Sequence, residues 1–565
     1  MVNNEHHFRQ GITNIPEICI RQGVRKVIIA PGSRNAPLIF AFTAHPQMEC
    51  LSIIDERSAG FFALGMALQS GEPVALVCTS GTAVLNFAPA IAEAFYQHIP
   101  LLVFTADRPV EMIDQADGQT LHQPDIFGNY SKANFDLPVE TVYDADLEYC
   151  NRQVSQAINT AIAYPPGPVQ INVPLREPIY TALPVAHSNP KILDVMSTKA
   201  LLTAETLSAL QKTWLQSDRK MIVLGILPKS ETFHDLVNLL SEMPDVVVIA
   251  ENLSNVAGDK IITQPESLFS RLNGKTDNSM FAPDLLITIG SSIICKQLKI
   301  FLRKNKAVQH WQMDAAMPFV DTYTSLTTII PVPARDVLGG MPFSEKTHST
   351  KHYAAQFAAE MLAVKELHKA FVAKSEVSDM TVTKSLLALL PPYTILHLAN
   401  STAVRWTQLF PARTDLTYLC NRGTSGIDGC TSTAAGYAYC SGKLNVFLSG
   451  DLSFIYDSNA LWNNYISKHF KIILLNNHGG NIFRFIGDKQ LMEKSLDFFT
   501  TPQPVNIKAL VEAFGLGYIT CNKADSIAKS IQSLLCTEQA TVLEIFTDSD
   551  LNTGNYTGYF KNIKK

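Results

Sequence analysis

Residues 446–481, "VFLSGDLSFIYDSNALWNNYISKHFKIILLNNHGGN", contain two apolar runs of strand length, VFLSG and KIILLNN, each closing on small or amide residues. Between them, Asp451 opens a stretch whose polar start and apolar continuation predict a helix. Strands joined by such a crossover run parallel, so Asp451 and Asn477 fall at the carboxyl edge of one sheet. Ligands of open α/β sheets bind at that edge. Asp451 and Asn477 offer hard oxygens, the donors that Mg2+ takes, and the Gly479 carbonyl in the turn can be another. Ser453 and the N–H groups after Asp451 lie at a helix start, which suits phosphate oxygens. Either half alone reads as a capped helix or a turn. The pair, one crossover apart, reads as a metal–diphosphate site.

The same alternation extends through the chain. RKVIIAPGS (25–33), PVALVCTSG (73–81), PLLVFTADRP (100–109), PVQINVP (168–174), KMIVLGILP (220–228), VVVIAEN (246–252), DLLITIGSS (284–292), YTILHLANS (393–401) and ATVLEIF (540–546) are short apolar runs set between helix-period segments. Strands apolar on both faces and separated by helices indicate parallel sheets in α/β layers. Two stretches, 183–199 and 331–352, are rich in Pro, Ser, Thr and charge and read as linkers. They leave three α/β domains: N-terminal 1–185, central 195–345 and C-terminal 355–565.

The first and third domains repeat one pattern. GMALQSG (65–71) matches GYAYCSG (436–442), and each is followed by a strand ending in Ser-Gly, at Gly81 and at Gly450. The next strands end in FTADR and LLNNHGG, and upstream PGSRNAP (31–37) answers ANSTAVR (399–405). An ordered set of this kind predicts that the two domains share a fold.

Composition bounds the class. Of 565 residues 46% are hydrophobic and 17% charged, enough for large buried cores. A net charge of −5 and a pI near 6.3 argue against a nucleic-acid binder. The apolar runs are too short to span a bilayer, and the N-terminus lacks a basic-then-apolar signal pattern. Ten cysteines without a C-x-x-C pair read as reduced packing residues of a cytoplasmic protein. His6-His7 reads as solvated, and His98 and His478 as structural.

A Gly-Asp followed one crossover later by Asn-Asn resembles the thiamine diphosphate signature of the decarboxylase and carboligase superfamily, whose three α/β domains have the first and third alike. The family's usual Gly-Asp-Gly is altered here, with Leu452 in place of the second Gly. That departure fits one branch. APGSRNAPL, DERSAGFFALG, TSGTA, ADRP, NRGTSGIDGCTSTAAG, GDLSFIYDSNAL and NNHGGNIF together resemble the synthases that make 2-succinyl-5-enolpyruvyl-6-hydroxy-3-cyclohexene-1-carboxylate in menaquinone biosynthesis. The match is thinner in the middle, where IGSSIICKQL is the main echo.

The resemblance implies roles. On its own, Asp55-Glu56-Arg57 reads as a helix cap. The family makes Glu56 the acid that faces N1′ of the cofactor's aminopyrimidine and favours its imino tautomer, and partial desolvation there should raise the Glu56 pKa. Asp451, Asn477 and Gly479 become ligands of Mg2+, with Mn2+ an alternative. Ser425, Gly426, Ile427, Leu452, Ser453, Gly480, Asn481, Ile482 and Phe483 line the cofactor, with Ile427 as the apolar wedge that bends it. Isochorismate and 2-oxoglutarate are the implied substrates, and both are carboxylic acids, which paired arginines hold well. The matching candidates are Arg34, Arg108, Arg405, Arg422 and Lys296, with Ser33, Gln119 and Ser401 adding polar contacts. The family also implies a homodimer or homotetramer with active sites between subunits.

No G-x-G-x-x-G follows a strand in the central domain, so flavin or nicotinamide binding has no sequence support. Two alternatives stay open at this point. One is a neighbouring branch of the superfamily, of the acetohydroxyacid-synthase or oxalyl-CoA-decarboxylase type. The other is a non-catalytic thiamine diphosphate binder, against which the retained Glu56 argues.

Overall fold

Each apolar run becomes a strand buried on both faces. The computed structural model describes residues 9–185, 189–313, 316, 319–342, 352–486 and 494–565. The first sheet holds β1 Lys26–Ile29, β2 Glu49–Ser52, β3 Val74–Cys78, β4 Leu101–Asp107, β5 Asn134–Asp136 and β6 Val169–Pro174, in the order β2-β1-β3-β4-β6-β5. The central sheet holds β7 Lys220–Leu224, β8 Val246–Ala250, β9 Leu285–Ile289, β10 Gln309–Gln312 and β11 Thr328–Ile329, in the order β11-β10-β9-β7-β8. The third holds β12 Ile395–Leu398, β13 Thr417–Leu419, β14 Asn445–Gly450, β15 Phe470–Asn476, β16 Gly517–Cys521 and β17 Thr541–Phe546, in the order β13-β12-β14-β15-β17-β16. Neighbouring strands pair in parallel.

The first and third sheets therefore have one topology, as the repeat predicts. In each, the first strand of the domain lies second in the sheet and the chain reverses direction of growth beside it. That reversal opens a crevice at the carboxyl edge. The helices that carry functional residues are α1 Glu56–Ser70, α2 Ala88–Gln97, α3 Lys296–Lys304, α4 Cys430–Ser441 and α5 Asp451–Tyr456.

The chain forms two compact units. One comprises the first 197 residues with 421–443 and 453–470; the other comprises 198–420, 444–452 and 471–565. In the first, Val27, Ile29, Leu102, Phe104, Ile171 and Val173 of the sheet form a core with Ile15, Ile18, Val154 and Ile158. In the second, Ile222, Leu224, Val248, Ile287 and Trp311 pack with Trp214, Val237 and Leu240 in the core around the central sheet.

The linker reading of 331–352 needs correction where the chain is described. Val332, Ala334, Val337, Leu338 and Met341 are buried in the central core, and Ala334–Gly339 is a helical turn. The prolines of 331–352 mark turns of a packed segment there. Residues 343–351 lie outside the described residues, as do His6 and His7. In 183–199, Leu183 and Ile192 pack against the first core. The Leu193 N–H donates to Ser155 Oγ (2.8 Å) and its carbonyl accepts from Asn159 Nδ2 (2.7 Å). Residues 189–199 have no regular structure, as a linker reading expects, yet side chains satisfy the Leu193 backbone.

Candidate active site

In the first unit, three loops past strand ends carry the predicted anion-binding residues and Gly81. Ser33 and Arg34 follow β1, Gly81 follows β3, Arg108 follows β4, and Gln119 lies against Gly81 with a left-handed φ of 58°. Ser33 is exposed, whereas Arg34 is 4% exposed, donates to the Leu175 carbonyl (3.0 Å) and pairs with Glu177 (3.1 Å). Arg108 pairs with Asp117 (2.8 Å). Burial, and then the charge of Arg108, lower the Arg34 pKa. The two guanidiniums repel each other, and Glu177 and Asp117 supply the opposite charge beside them.

Helix α1 begins in the same unit. Asp55 is its N-cap and accepts from the Ser58 N–H (3.2 Å), and Gly71, with φ 69°, ends it. The cap reading of Asp55 therefore holds, and Glu56 is left over. Glu56 is half-buried, and burial is the largest cause of its raised pKa; adjacent Asp55 adds to it. It lies near enough to Cys78, at the end of β3, to add to the upward push that burial gives that thiol.

Helix α1 crosses α4 within this unit, and the crossing is two-fold in form. A Cβ on Gly65 would lie 2.0 Å from the Thr433 carbonyl, and a Cβ on Gly436 would lie 2.0 Å from the Phe62 carbonyl. These are matching positions of the repeat. Ser58 Oγ meets Ser432 Oγ at 3.0 Å, and Phe61 lies against Gly429 in the matching way. Helix α1 is apolar all round because it is enclosed. By the same register, Ile427 occupies in the repeat the place of Glu56. Its side chain is 36% exposed, unlike an ordinary core isoleucine, and its carbonyl accepts from Ser453 Oγ (2.8 Å). Ser425 adopts φ 65°, and Gly426 and Arg422 lie on the same turn. Sequence reasoning missed Asp457, a buried carboxylate that accepts from the Ser432 N–H (2.7 Å) and hydroxyl (2.8 Å), with burial pushing it up to about 7.

In the second unit, the carboxyl edge of the third sheet carries the predicted metal residues. Asp451 opens α5 directly after β14, and Asn477 follows β15. Asp451 is buried, which pushes its pKa to about 6; Gln503 Nε2 (3.2 Å) and the N–H groups of Leu452 and Gly479 pull it back. Asn477 Nδ2 donates to Asp379 (3.1 Å), and Ser549 Oγ donates to the Asn477 carbonyl (2.6 Å). Asn477 Oδ1 is buried without a hydrogen-bond partner, and so are both amide atoms of Asn481. A buried, unpartnered amide oxygen is costly unless a ligand meets it. Gly479 has φ 142°, and a Cβ there would lie 2.4 Å from the Thr500 carbonyl, so the turn closes only with glycine. The Gly480 N–H donates to that carbonyl (2.5 Å), and Phe483, next after Ile482, packs on Phe499. The donor set thus fits a hard cation: a buried carboxylate, a free amide oxygen and a second carboxylate, Asp379, raised by burial behind them. Asp379 and Gln503 had no sequence signal.

The second unit also joins two predicted cations. Lys296 opens α3, and the Arg405 guanidinium donates to the Ser401 carbonyl (2.6 Å), Ser401 having φ 74°. Glu266, its pKa raised by burial, accepts from the backbone of Lys296 and Gln297 and feels the charge of Arg405. Glu251 accepts from the N–H groups of Ile294 (2.8 Å) and Cys295 (2.6 Å), and burial pushes it to about 7. Two carboxylates thus hold the start of α3, the end that favours negative charge.

Two family models and several relatives match this chain. The "Thiamine pyrophosphate enzyme, N-terminal TPP binding domain" family matches residues 10–128, and the "Thiamine pyrophosphate enzyme, C-terminal TPP binding domain" family matches residues 401–545. The chain is 39% identical to the 2-succinyl-5-enolpyruvyl-6-hydroxy-3-cyclohexene-1-carboxylate synthase of Flavobacterium psychrophilum, over 97% of this chain and 98% of that protein. The synthase of the same name from Flavobacterium johnsoniae is 38% identical over 97% and 98%. That from Porphyromonas gingivalis is 36% identical over 100% and 98%.

Proposed function

The chain belongs to the family of 2-succinyl-5-enolpyruvyl-6-hydroxy-3-cyclohexene-1-carboxylate synthases, which are thiamine pyrophosphate enzymes, and from that premise we propose how its residues divide the reaction. The enzyme decarboxylates 2-oxoglutarate and adds the remaining succinyl unit to isochorismate by 1,4-addition, releasing CO2, in menaquinone biosynthesis. The chemistry supplied by bound thiamine diphosphate is that of an electron sink for the decarboxylation.

Residues 1–185 take the pyrimidine half of the cofactor and 355–565 the diphosphate half, with 195–345 between them in the chain. Asp451, the Oδ1 of Asn477 and the Gly479 carbonyl hold Mg2+, or Mn2+ in its place. Leu452, Ser453, Gly480, Asn481, Ile482 and Phe483 receive the diphosphate. Glu56 holds a proton at N1′ of the aminopyrimidine, a task suited to a carboxyl whose pKa is raised by burial. Ile427, presented from the 421–429 turn with Ser425 and Gly426, supplies the apolar face that bends the cofactor. Arg34, Arg108 and Arg422, with Ser33 and Gln119, and Arg405 and Lys296 with Ser401, orient the substrate carboxylates. Active sites form between subunits of a homodimer or homotetramer in the cytoplasm.

The observation that carries the metal assignment is the buried, unpartnered Oδ1 of Asn477 at the same sheet edge as buried Asp451. The first test is a product assay with isochorismate and 2-oxoglutarate. Consumption of both should depend on thiamine diphosphate and on Mg2+. Consumption of pyruvate in place of 2-oxoglutarate would put the chain in a neighbouring branch. Asp451→Ala should weaken Mg2+-dependent cofactor binding by about a hundredfold or more, beyond what loss of outer partners of a metal causes, and leave the fold intact. Unchanged affinity would remove the site.

A further inference from the structure

Glu93 lies in α2, far in sequence from the 421–429 turn, and both belong to the first unit. It is 1% exposed. Its Oε1 accepts from the Gly423 N–H (2.7 Å) and from Gln97 Nε2 (2.5 Å). Its Oε2 accepts from the Thr424 N–H (2.6 Å) and the Thr424 hydroxyl (2.6 Å). Three of these four donors belong to the turn. A side chain at 423 would meet the Glu93 carbonyl at 2.7 Å, so glycine is what lets the carboxylate reach the backbone. A carboxylate removed from water requires such donors, and it holds them in return.

The turn is anchored again further on, where Ser453 Oγ meets the Ile427 carbonyl and Asn421 Nδ2 meets Thr433 Oγ1 (2.9 Å). Arg422 precedes the Glu93 clamp by one residue, and Ile427 lies between the clamp and the end of the turn. We propose that Glu93 is a positioning residue, whose buried carboxylate fixes the 422–427 turn so that Arg422 and Ile427 stand ready before substrate or cofactor binds. The proposal rests on the roles given above to Arg422 and Ile427. Glu93 touches neither ligand and moves no proton; it removes an ordering cost from binding.

The full-length Glu93→Gln variant keeps the volume and turns one acceptor into an amide N–H facing the Thr424 donors. The Kd for thiamine diphosphate, read by tryptophan fluorescence, and the KM for the acid substrates should each rise about tenfold, the scale of a lost charged hydrogen bond. At saturation kcat should stay within about twofold of the parent's, and the cofactor-free protein should melt within a few degrees of the parent's temperature. Thr424→Val should move the same two constants in the same direction, and Thr424→Ser should restore them; this pair decides the matter if Glu93→Gln does not fold. Parental Kd and KM in these variants overturn the proposal. A fall in kcat at unchanged KM and Kd overturns it as well, as does a drop in melting temperature that accounts for the whole loss. Arg422→Ala and Ile427→Ala separate the two layers. If both leave Kd and KM untouched, the roles of the turn fail and the proposal falls with them. If they shift these constants and the Glu93 and Thr424 variants do not, only the positioning role fails.

Discussion

Past β1 the chain runs Ser33-Arg34; past β12, in the matching loop of the third sheet, it runs Ser401-Thr402 and reaches Arg405 a helical turn later. Past β4 it runs Arg108-Pro109; past β15 it runs Asn477-His478-Gly479. The helix of the first repeat opens on Glu56, and the register of the second puts Ile427 in that place. One strand order thus carries Arg34, Arg108 and Glu56 on one copy, and Asp451, Asn477 and an exposed Ile427 at the matching places of the other. A parallel sheet fixes where its loops emerge and leaves their chemistry free.

The sharpest way to break the comparison is at Glu56. Glu56→Gln should lower kcat about a thousandfold, within the range of a lost proton-transfer group, with cofactor affinity close to the parent's. Turnover of 2-oxoglutarate at the parental rate would strip the first copy of its distinct role. The next effect concerns what the copies share. Gly65→Ala and Gly436→Ala each push a methyl group into a backbone carbonyl at the crossing of α1 and α4. Each should cost about 3 kcal/mol in denaturant unfolding, by overpacking, and the two costs should be equal within error. Unequal costs would confine the symmetry to the backbone.

The smallest effect tests how the two helices are capped. Asp55 caps α1 from the adjacent position, whereas Asp457 serves the first turn of α4 from a later segment. Burial raises the Asp457 pKa to about 7 in the folded protein, above its unfolded value. Its share of stability is therefore present below the unfolded pKa and is lost as pH rises through about 7. Asp457→Asn should flatten the fall in unfolding free energy between about pH 4 and pH 8, by on the order of 2 kcal/mol. A parental slope in the variant would move that titration to another group.

What could be read in advance follows from the same contrast. The places of Asp451, Asn477 and Gly479 at the sheet edge were legible because strand ends and a tight turn mark them locally, and Asp55 was legible as a cap for that reason. Glu93, Glu251, Glu266, Asp379 and Asp457 were not. Each of these carboxylates acts across the fold, Glu93, Glu251, Glu266 and Asp457 in part on main-chain N–H groups, which every residue but proline carries. Such a contact leaves no motif. The repeat announced Gly65 and Gly436 as equivalent, but nothing in the chain said that each faces the other's helix. The packed turns of 331–342 were misread because Pro and Ser mark a bend whether or not its apolar residues are buried.

The α1–α4 crossing also bears on ancestry. Phe62 faces Gly436 as Thr433 faces Gly65, and Ser58 faces Ser432 as Gly429 faces Phe61. That reciprocity is the mark of an isologous contact, the kind two identical molecules make across a dyad. Here both halves lie on one polypeptide. A duplicated and fused gene preserves such a contact while releasing its two sides to diverge, and in this chain glycine remains on both sides where the helices cross.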